Sequence, residues 1–476
     1  MIIIISDIQR LISESEDNVM KFGHQILKYR EDIIRDLTEL IAVPSVCTDP
    51  VPGKPFGENS AKALETILNM AKKLGLNTTN VSNYAGDARY GEGEDFVDVL
   101  SHVDIVPVGK GWDSDPLKMI EKDGYFYGRG VADDKGASII SLYCLKALKD
   151  AGIQGKHTIR TIFGGGEEIA SNDLDVYYEK EGFPVMGFTP DCCYGICHCE
   201  KGILRADFVS ETPAASCVKE FHAGTVVNAV PAEAIAILEC TDTQYEKLTQ
   251  LTADKDFSLE KDGSSVTVKS FGKAAHGAEP HLGKNAAGTL LELLDQAFTH
   301  EELGNFFSFL IDCMGTNYTG EKMGIKMSDE PSGDLTLNLG IIEFTSEKGC
   351  ASIDIRYPAT KTKEDIWPSL QKYADRYELK LVEKNHDAPL YIPKDAPLIN
   401  LLKNAYHSVM GEDCDIFSTG GGTYARHTPN RVVAFGPVFP EEPPTNAHNC
   451  NENINVEKLF LHAQICLEAM YEMFVN

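Results

Sequence analysis

Positive charge is in short supply in this 476-residue chain: 44 Lys and Arg stand against 72 Asp and Glu, a formal net charge of −28. A nucleic-acid binder needs a basic footprint for the phosphate backbone, so that class is excluded. An anionic membrane surface is excluded as a partner on the same ground. Long apolar runs are missing too. No window approaches the roughly 18 apolar residues of a membrane helix. The opening MIIIISDIQR lacks the basic n-region and small-residue cleavage site of a secretory leader. There is no tandem repeat of short period and no low-complexity linker. The 13 cysteines are odd in number and dispersed, which reads as reduced thiols in a cytoplasmic protein. With 43% hydrophobic and 24% charged residues, disorder, collagen and disulfide scaffolds fall away. The length fits two or three domains at roughly 150 residues each.

What is present begins as alternating helix and strand signals. Residues 58–74 place Leu64, Ile67, Leu68 and Ala71 on one helical face, with Gly75 as a stop. Residues 96–106 (FVDVLSHVDIV) are near-continuously apolar at their centre, as a buried strand is. A helix is expected over 135–150 with Leu142, Leu145 and Leu148 inward, a strand over 158–163, and a short strand over 186–189. That order implies an α/β sheet with much parallel pairing. After about residue 200 the pattern becomes alternating strands (206–210, 265–270, 335–344, 350–357) with helices between, for example 286–300. Helical periodicity returns from Pro397, a Gly-rich segment spans 420–422, and a closing helix starts near Val456. The layout is a discontinuous α/β domain (1–200 and 395–476) interrupted by an α+β domain (201–394).

Ligand-type side chains recur where these strands end. His102 and Asp104 sit two apart in SHVDIVP, so on a strand both point to one side, and the carboxylate can fix the imidazole tautomer. Asp133 lies in GRGVADDKG, Glu167 and Glu168 follow three glycines, Asp191 ends FTPD, and His448 lies in TNAHNCNE. In an open α/β sheet the carboxyl ends of adjacent parallel strands converge on one crevice. Oxygen and nitrogen donors without thiolate suit a hydrolytic pair of divalent ions. Alone, each piece has a blander reading: a structural His–Asp pair, acids at a helix N-terminus, a surface histidine, a turn. Cys192, Cys193, Cys197 and Cys199 flank His198, but without the spacing of paired C-x-x-C knuckles; buried small side chains explain them more simply.

Taken in order, SHVDIVPVGKGW, GRGVADDKG, GGGEE, FTPD and AHNCNE resemble the di-zinc exopeptidases related to carboxypeptidase G, aminoacylase and carnosinase. Within that group, PFGENSAKALE, NYAGDARYGEG, WDSDP, the E-K-G at 200–202, GKAAHGAEPHLGKNA, DIRYP, GGGTYAR and AFGPVFP are similar to the peptidase V-like dipeptidases. The resemblance runs from about Lys28 to the C-terminus. It implies a zinc-exopeptidase-like catalytic domain with a mostly parallel sheet, interrupted by a lid domain. By motif, it places His102, Asp133 and Asp191 on one zinc and Asp133, Glu168 and His448 on the other, with Asp133 bridging. It makes Glu167 the general base and Asp104 the residue that orients His102. It gives His276 and Asn228 of the lid to the oxyanion, and Arg356, Gly421 and Gly422 to the substrate carboxylate. Gly166 departs from the family pattern of Asp, Asn or Thr, so weaker support for the base is expected there. Residues 1–27 have no functional account.

These readings imply a cytoplasmic, monomeric metallodipeptidase acting on small unblocked dipeptides with two divalent ions, zinc first and manganese or cobalt as alternatives. The rivals are an N-acyl-amino-acid deacylase on the same ions, a non-catalytic metal-binding protein on a retired scaffold, and a thiol-based redox protein.

Overall fold

The computed structural model describes residues 22–476 apart from Ala170, Ala214, Ala215, Asp254 and Lys255. Residues 1–21, most of the 1–27 segment for which the sequence gives no functional account, lie outside the described residues. The fold is α/β, a discontinuous domain interrupted by an α+β domain, and it divides into two compact units. The first comprises residues up to His198, Ile392–Phe417 and Thr423–Asn476. The second comprises Cys199–Tyr391 and Ser418–Gly422.

The first unit is built on a mixed sheet. Its strands run in the order Asn77–Val81, Ala85–Tyr90, Thr158–Gly164, Phe96–His102, Met186–Thr189, Val432–Phe435, then Ile196 and Cys197. The four in the middle are parallel. Phe96–His102 and Thr158–Gly164 are buried along nearly their whole length, as parallel strands covered on both faces are. The flanks are antiparallel. The reason is local: Asn77–Val81 and Ala85–Tyr90 are joined by a tight turn in which Ser82 (φ 52°) and Asn83 (φ 60°) are left-handed, and a short hairpin admits only antiparallel pairing. The helices Gly57–Lys73, Lys135–Asp150 and Val456–Val475 contribute to the core, with Leu64, Ile67, Leu142, Leu145, Leu148 and Leu467 all at 0% exposure. A charged pair sits inside this apolar setting. Arg160 and Asp98 face each other on adjacent strands and bond bidentately at 2.8 Å.

The second unit carries an 8-stranded sheet that is antiparallel throughout. Its order is Phe257–Asp262, Ser265–Phe271, Glu233–Glu239, Val218–Ala223, Thr336–Phe344, Gly349–Tyr357, Gly202–Ser210, Lys380–Asp387. Glu233–Glu239 and Ser265–Phe271 alternate between covered and open side chains, the signature of a sheet with one solvated face. The covered face packs Phe221, Leu337 and Ile353 with Leu290, Leu294, Phe307 and Leu310 of two helices. The expected single helix over 286–300 is two elements. Ala286–Ala297 starts on the Asn285 cap, and a new helix, His300–Cys313, starts at a Thr299–Glu302 capping box. Among the described residues no helix is long and apolar enough to cross a membrane.

Candidate functional site

Strand ends of the first unit bring the expected ligand residues together. His102 closes the strand Phe96–His102, fully buried, with Nδ1 3.1 Å from the backbone oxygen and 3.4 Å from Oδ1 of Asp104. Its Nε2 faces Asp133 Oδ1 at 3.0 Å and Asp191 Oδ2 at 4.0 Å. On the other side of Asp133, His448 Nε2 lies 3.0 Å from Oδ2 and 3.0 Å from Glu168 Oε2. Two groups result, His102–Asp133–Asp191 and Asp133–Glu168–His448, and within each the ligand atoms lie within 4.8 Å of one another. Asp133 belongs to both, one oxygen to each.

The donor set fits a pair of divalent cations. Imidazole nitrogens and carboxylates without a thiolate match zinc, manganese or cobalt. The electrostatics agree, because buried carboxyls crowd one another. Burial and the Asp133 charge push Asp191 up to about 7. Burial, with Asp191, Glu168 and Asp104 adding, pushes Glu167 well above the usual carboxylate range. Hydrogen bonds to Asp133 and Glu168 raise His448 to about 10. Burial works against a charged His102, yet Asp104 and Asp133 hold it well above an ordinary histidine. Surplus negative charge among crowded carboxyls is what bound cations neutralise.

Glu167 lies next to Glu168 but in neither group. Its loop is fixed from several directions. Asp104 Oδ1 accepts the backbone N–H of Glu167 at 3.2 Å, and Oδ2 that of Glu168 at 3.1 Å. Gly165 O accepts from Ser60 Oγ at 2.5 Å and Cys47 Sγ at 3.3 Å. Gly166 N–H donates to Asp173 Oδ2 at 3.0 Å, and Tyr424 Oη donates to the same oxygen at 2.5 Å. The weaker support expected at Gly166 is thus offset by the chain around it. A Cβ at 166 would meet Ser171 Oγ at 2.5 Å, so a bulkier residue there requires the Ser171 side chain to shift. A Cβ at Gly164 would meet Tyr424 Oη at 1.9 Å.

The Asp133 loop has its own clamp. Glu452, fully buried, accepts from Arg129 Nη1 at 2.8 Å and Gly130 N at 2.9 Å with one oxygen. With the other it accepts from Ala132 N at 3.0 Å and Asp133 N at 3.2 Å. Sequence reasoning gave no role to Glu452, Asp173, Tyr424, Ser60 or Cys47. Glu452, Tyr424 and Ser60 stand inside quoted motifs, AHNCNE, GGGTYAR and PFGENSAKALE, and the remaining two carry no local signal.

In the second unit, Asn228 and His276 are neighbours through the backbone: Gly277 N–H donates to Asn228 O at 2.7 Å, and Ala229 bridges to His276. Ala278 N–H donates to His276 Nδ1 at 3.3 Å, which leaves the ring proton on Nε2. Burial and then the Arg356 charge lower its pKa, favouring the neutral ring. Arg356 is 3% exposed, with Nε and Nη2 on Asp354 and Nη1 on Gly420 O at 2.7 Å. Gly421 N–H donates to Thr419 Oγ1 at 3.1 Å, and Gly422 is exposed. Cys192, Cys193, Cys197 and Cys199 enter no metal-holding group among the described residues.

Comparison with known proteins gives the family and the fold. The model of Peptidase family M20/M25/M40 matches residues 99–472. A Bacillus subtilis (strain 168) protein named "Putative dipeptidase YtjP" is 32% identical over 467 residues, covering 95% of this chain and 100% of the relative. "Putative dipeptidase SSP1012" of Staphylococcus saprophyticus is 32% identical over 466 residues, covering 95% and 99%. Among solved structures, the dipeptidase Dug1p of Saccharomyces cerevisiae superposes with a TM-score of 0.58 at 15% identity, covering 96% of this chain and 98% of that one. The aminoacylhistidine dipeptidase of Vibrio alginolyticus gives 0.59 at 14%, covering 93% and 96%. At those identities the structures speak for the fold alone.

Proposed function

The chain belongs to peptidase family M20/M25/M40, and from that premise we propose that it is a metallodipeptidase hydrolysing the peptide bond of small unblocked dipeptides. The observation that carries the reading is the pair of ligand groups sharing Asp133, with Glu167 beside them and in neither. His102, Asp133 and Asp191 hold one divalent ion, and Asp133, Glu168 and His448 the other. Zinc is the first choice, with manganese or cobalt as alternatives. Bound there, such ions act as Lewis acids and make water a nucleophile at neutral pH.

The remaining steps fall to the chain's own groups. Glu167 takes a proton from the attacking water as the new C–O bond forms, then passes it to the departing amine as the C–N bond breaks. Asp104 holds the His102 ring and the Glu167 backbone in register. In the second unit, the lid of this reading, His276 donates Nε2–H to the developing oxyanion with Asn228 beside it, a contribution of about 3–4 kcal/mol in comparable sites. The segment with Gly421 and Gly422 receives the substrate carboxylate, and Arg356 serves it by anchoring Gly420. The catalytic domain corresponds to the first unit, its bounds differing from the expected 1–200 and 395–476 chiefly in that Ser418–Gly422 go with the second, and the enzyme works in the cytoplasm as a monomer, so light scattering should return the mass of one chain.

The test is amine release from dipeptides, a tripeptide and N-acetyl amino acids by zinc- or manganese-loaded protein, beside a Glu167→Ala variant. Dipeptide cleavage lost to chelator and to the variant is the expected result. Cleavage of N-acetyl substrates alone would make it a deacylase. Silence with metal bound would leave a retired scaffold, and inhibition by alkylation rather than chelation a thiol enzyme.

A further inference from the structure

His448 reaches its ligand group from the middle of a loop, its side chain 57% exposed where that of His102 is fully covered. The other members of the group are held from close by, Asp133 through the Glu452 carboxylate on its backbone N–H and Glu168 through Asp104. The backbone of His448 is left-handed (φ 63°), as are those of Asn446 (φ 56°) and Asn451 (φ 58°) in the same loop. Asn453 N–H donates to Thr445 O at 2.8 Å and closes the loop at its base, which fixes where it starts and ends but not where its tip points. An exposed loop is mobile unless tied, and a ligand nitrogen has to sit within about 0.2 Å of its place.

Ties come from the segment 109–113, which includes the start of WDSDP, a motif to which the mechanism assigns no part. The Asp113 backbone N–H donates to Asn451 Oδ1 at 2.9 Å, and Asn451 Nδ2 donates to Asp113 Oδ2 at 3.1 Å. Two bonds of opposite sense on one planar amide fix rotation as well as distance. Gly111 (φ 96°) brings the segment against the loop, since a Cβ there would lie 3.2 Å from Cys450 Sγ. Trp112 Nε1 donates to Val108 O at 2.6 Å, so the segment is folded on itself. Arg129 Nη2 donates to Asn449 O at 3.0 Å, and its guanidinium sits 5.3 Å from the centroid of the Trp112 ring. Each of the three residues that follow His448 therefore meets a group outside the loop, and all of these groups lie in the first unit.

We propose that Asp113 and Asn451 are positioning residues for His448, setting how tightly the Asp133–Glu168–His448 group holds its ion. The proposal rests on the two-ion reading and adds to it a pair of residues that belong to neither ligand group.

The experiment equilibrates manganese-loaded protein with decreasing free manganese and counts the ions retained. Manganese is the probe because the 13 cysteines compete little for so hard a cation. Asn451→Gly removes the amide and keeps a residue suited to a left-handed backbone, whereas Asn446→Gly loosens the same loop without touching Asp113. His448→Ala marks the ion that needs His448. The wild type should retain two ions. Asn451→Gly should release one of them at about 10–100-fold higher free manganese and hold the other as His448→Ala does. Asn446→Gly should stay near the wild type. The exchange of Asp113→Asn with Asn451→Asp rebuilds both bonds at the same net charge and should restore the wild-type curve. Equal weakening of both ions, an Asn446→Gly loss as large as that of Asn451→Gly, or an exchange variant no better than Asn451→Gly overturns the proposal. A wild type that retains fewer than two ions overturns the two-ion reading itself, a failure visible before any variant is made.

Discussion

The Oδ1 of Asp104 accepts the backbone N–H of Glu167 at 3.2 Å. The same carboxylate takes the Glu168 N–H on its other oxygen and lies 3.4 Å from His102 Nδ1. One side chain thereby registers a ligand ring against the loop that carries both a ligand and the proposed base. Asp104→Asn puts an N–H donor where an acceptor is needed. Metal affinity should fall roughly 10–100-fold, with kcat/KM following. Competition against a chromogenic chelator measures it, and an unchanged affinity would show that Asp104 orients nothing.

Glu452 makes the second clamp, and its loss should appear in stability as well as in metal binding. Glu452→Gln keeps the shape but removes the charge facing Arg129, which is 2% exposed. Breaking one side of a buried pair costs about 3–5 kcal/mol. A drop of that size in urea unfolding, with weakened metal affinity through the Asp133 backbone, is the expected outcome. A variant within 1 kcal/mol of the wild type would contradict it.

What the sequence made legible, and what it hid, follows from range. His102 and Asp104 are two apart on a strand, so their shared face needs no tertiary knowledge, and ordered motifs carried Asp133, Glu168, Asp191 and His448 into the same crevice. The long apolar-patterned elements were legible for the same reason: the expected helix over 135–150 is Lys135–Asp150. The hairpin Asn77–Val81 and Ala85–Tyr90 was not. Its sequences, NTTNV and AGDARY, are polar or small, and Asp87 is buried there only because Arg89 and Tyr177 pair with it. Contacts such as Tyr424–Asp173 join residues 251 positions apart and leave no local trace. The Arg356 pairing had a signal that went unread, since Asp354 precedes it by two on the same strand, the spacing that was decisive at His102.

Gly164 tests how tightly the base loop is packed. An added Cβ would meet Tyr424 Oη at 1.9 Å and Asp173 Oδ2 at 2.6 Å. Gly164→Ala should therefore destabilise by at least the usual 1–3 kcal/mol of overpacking, about 3 kcal/mol, and depress activity by shifting Gly166 and Glu167. Adding Tyr424→Phe removes the nearest atom, so the double variant should recover part of both losses. Strict additivity of the two changes, read from thermal unfolding, would mean that they do not share this contact.

His462 gives a pH dependence whose sign is fixed by burial. The ring is fully buried with Nδ1 2.8 Å from Tyr194 Oη, and burial lowers its pKa to about 3. In the unfolded chain the same ring titrates near 6.5. Between those values the unfolded state holds a proton that the folded state does not, so stability rises with pH across the window and is lost as pH falls from about 6.5 toward about 3. Acidification to pH 5 should take away about 2 kcal/mol through this group. His462→Gln carries a fixed loss from altered packing around Tyr194, but it has no ring to protonate. Its stability deficit relative to the wild type should shrink by about 2 kcal/mol between pH 7 and pH 5, the other titrating groups being common to both proteins. Denaturant curves of the two proteins that stay parallel across that range would place the proton uptake elsewhere.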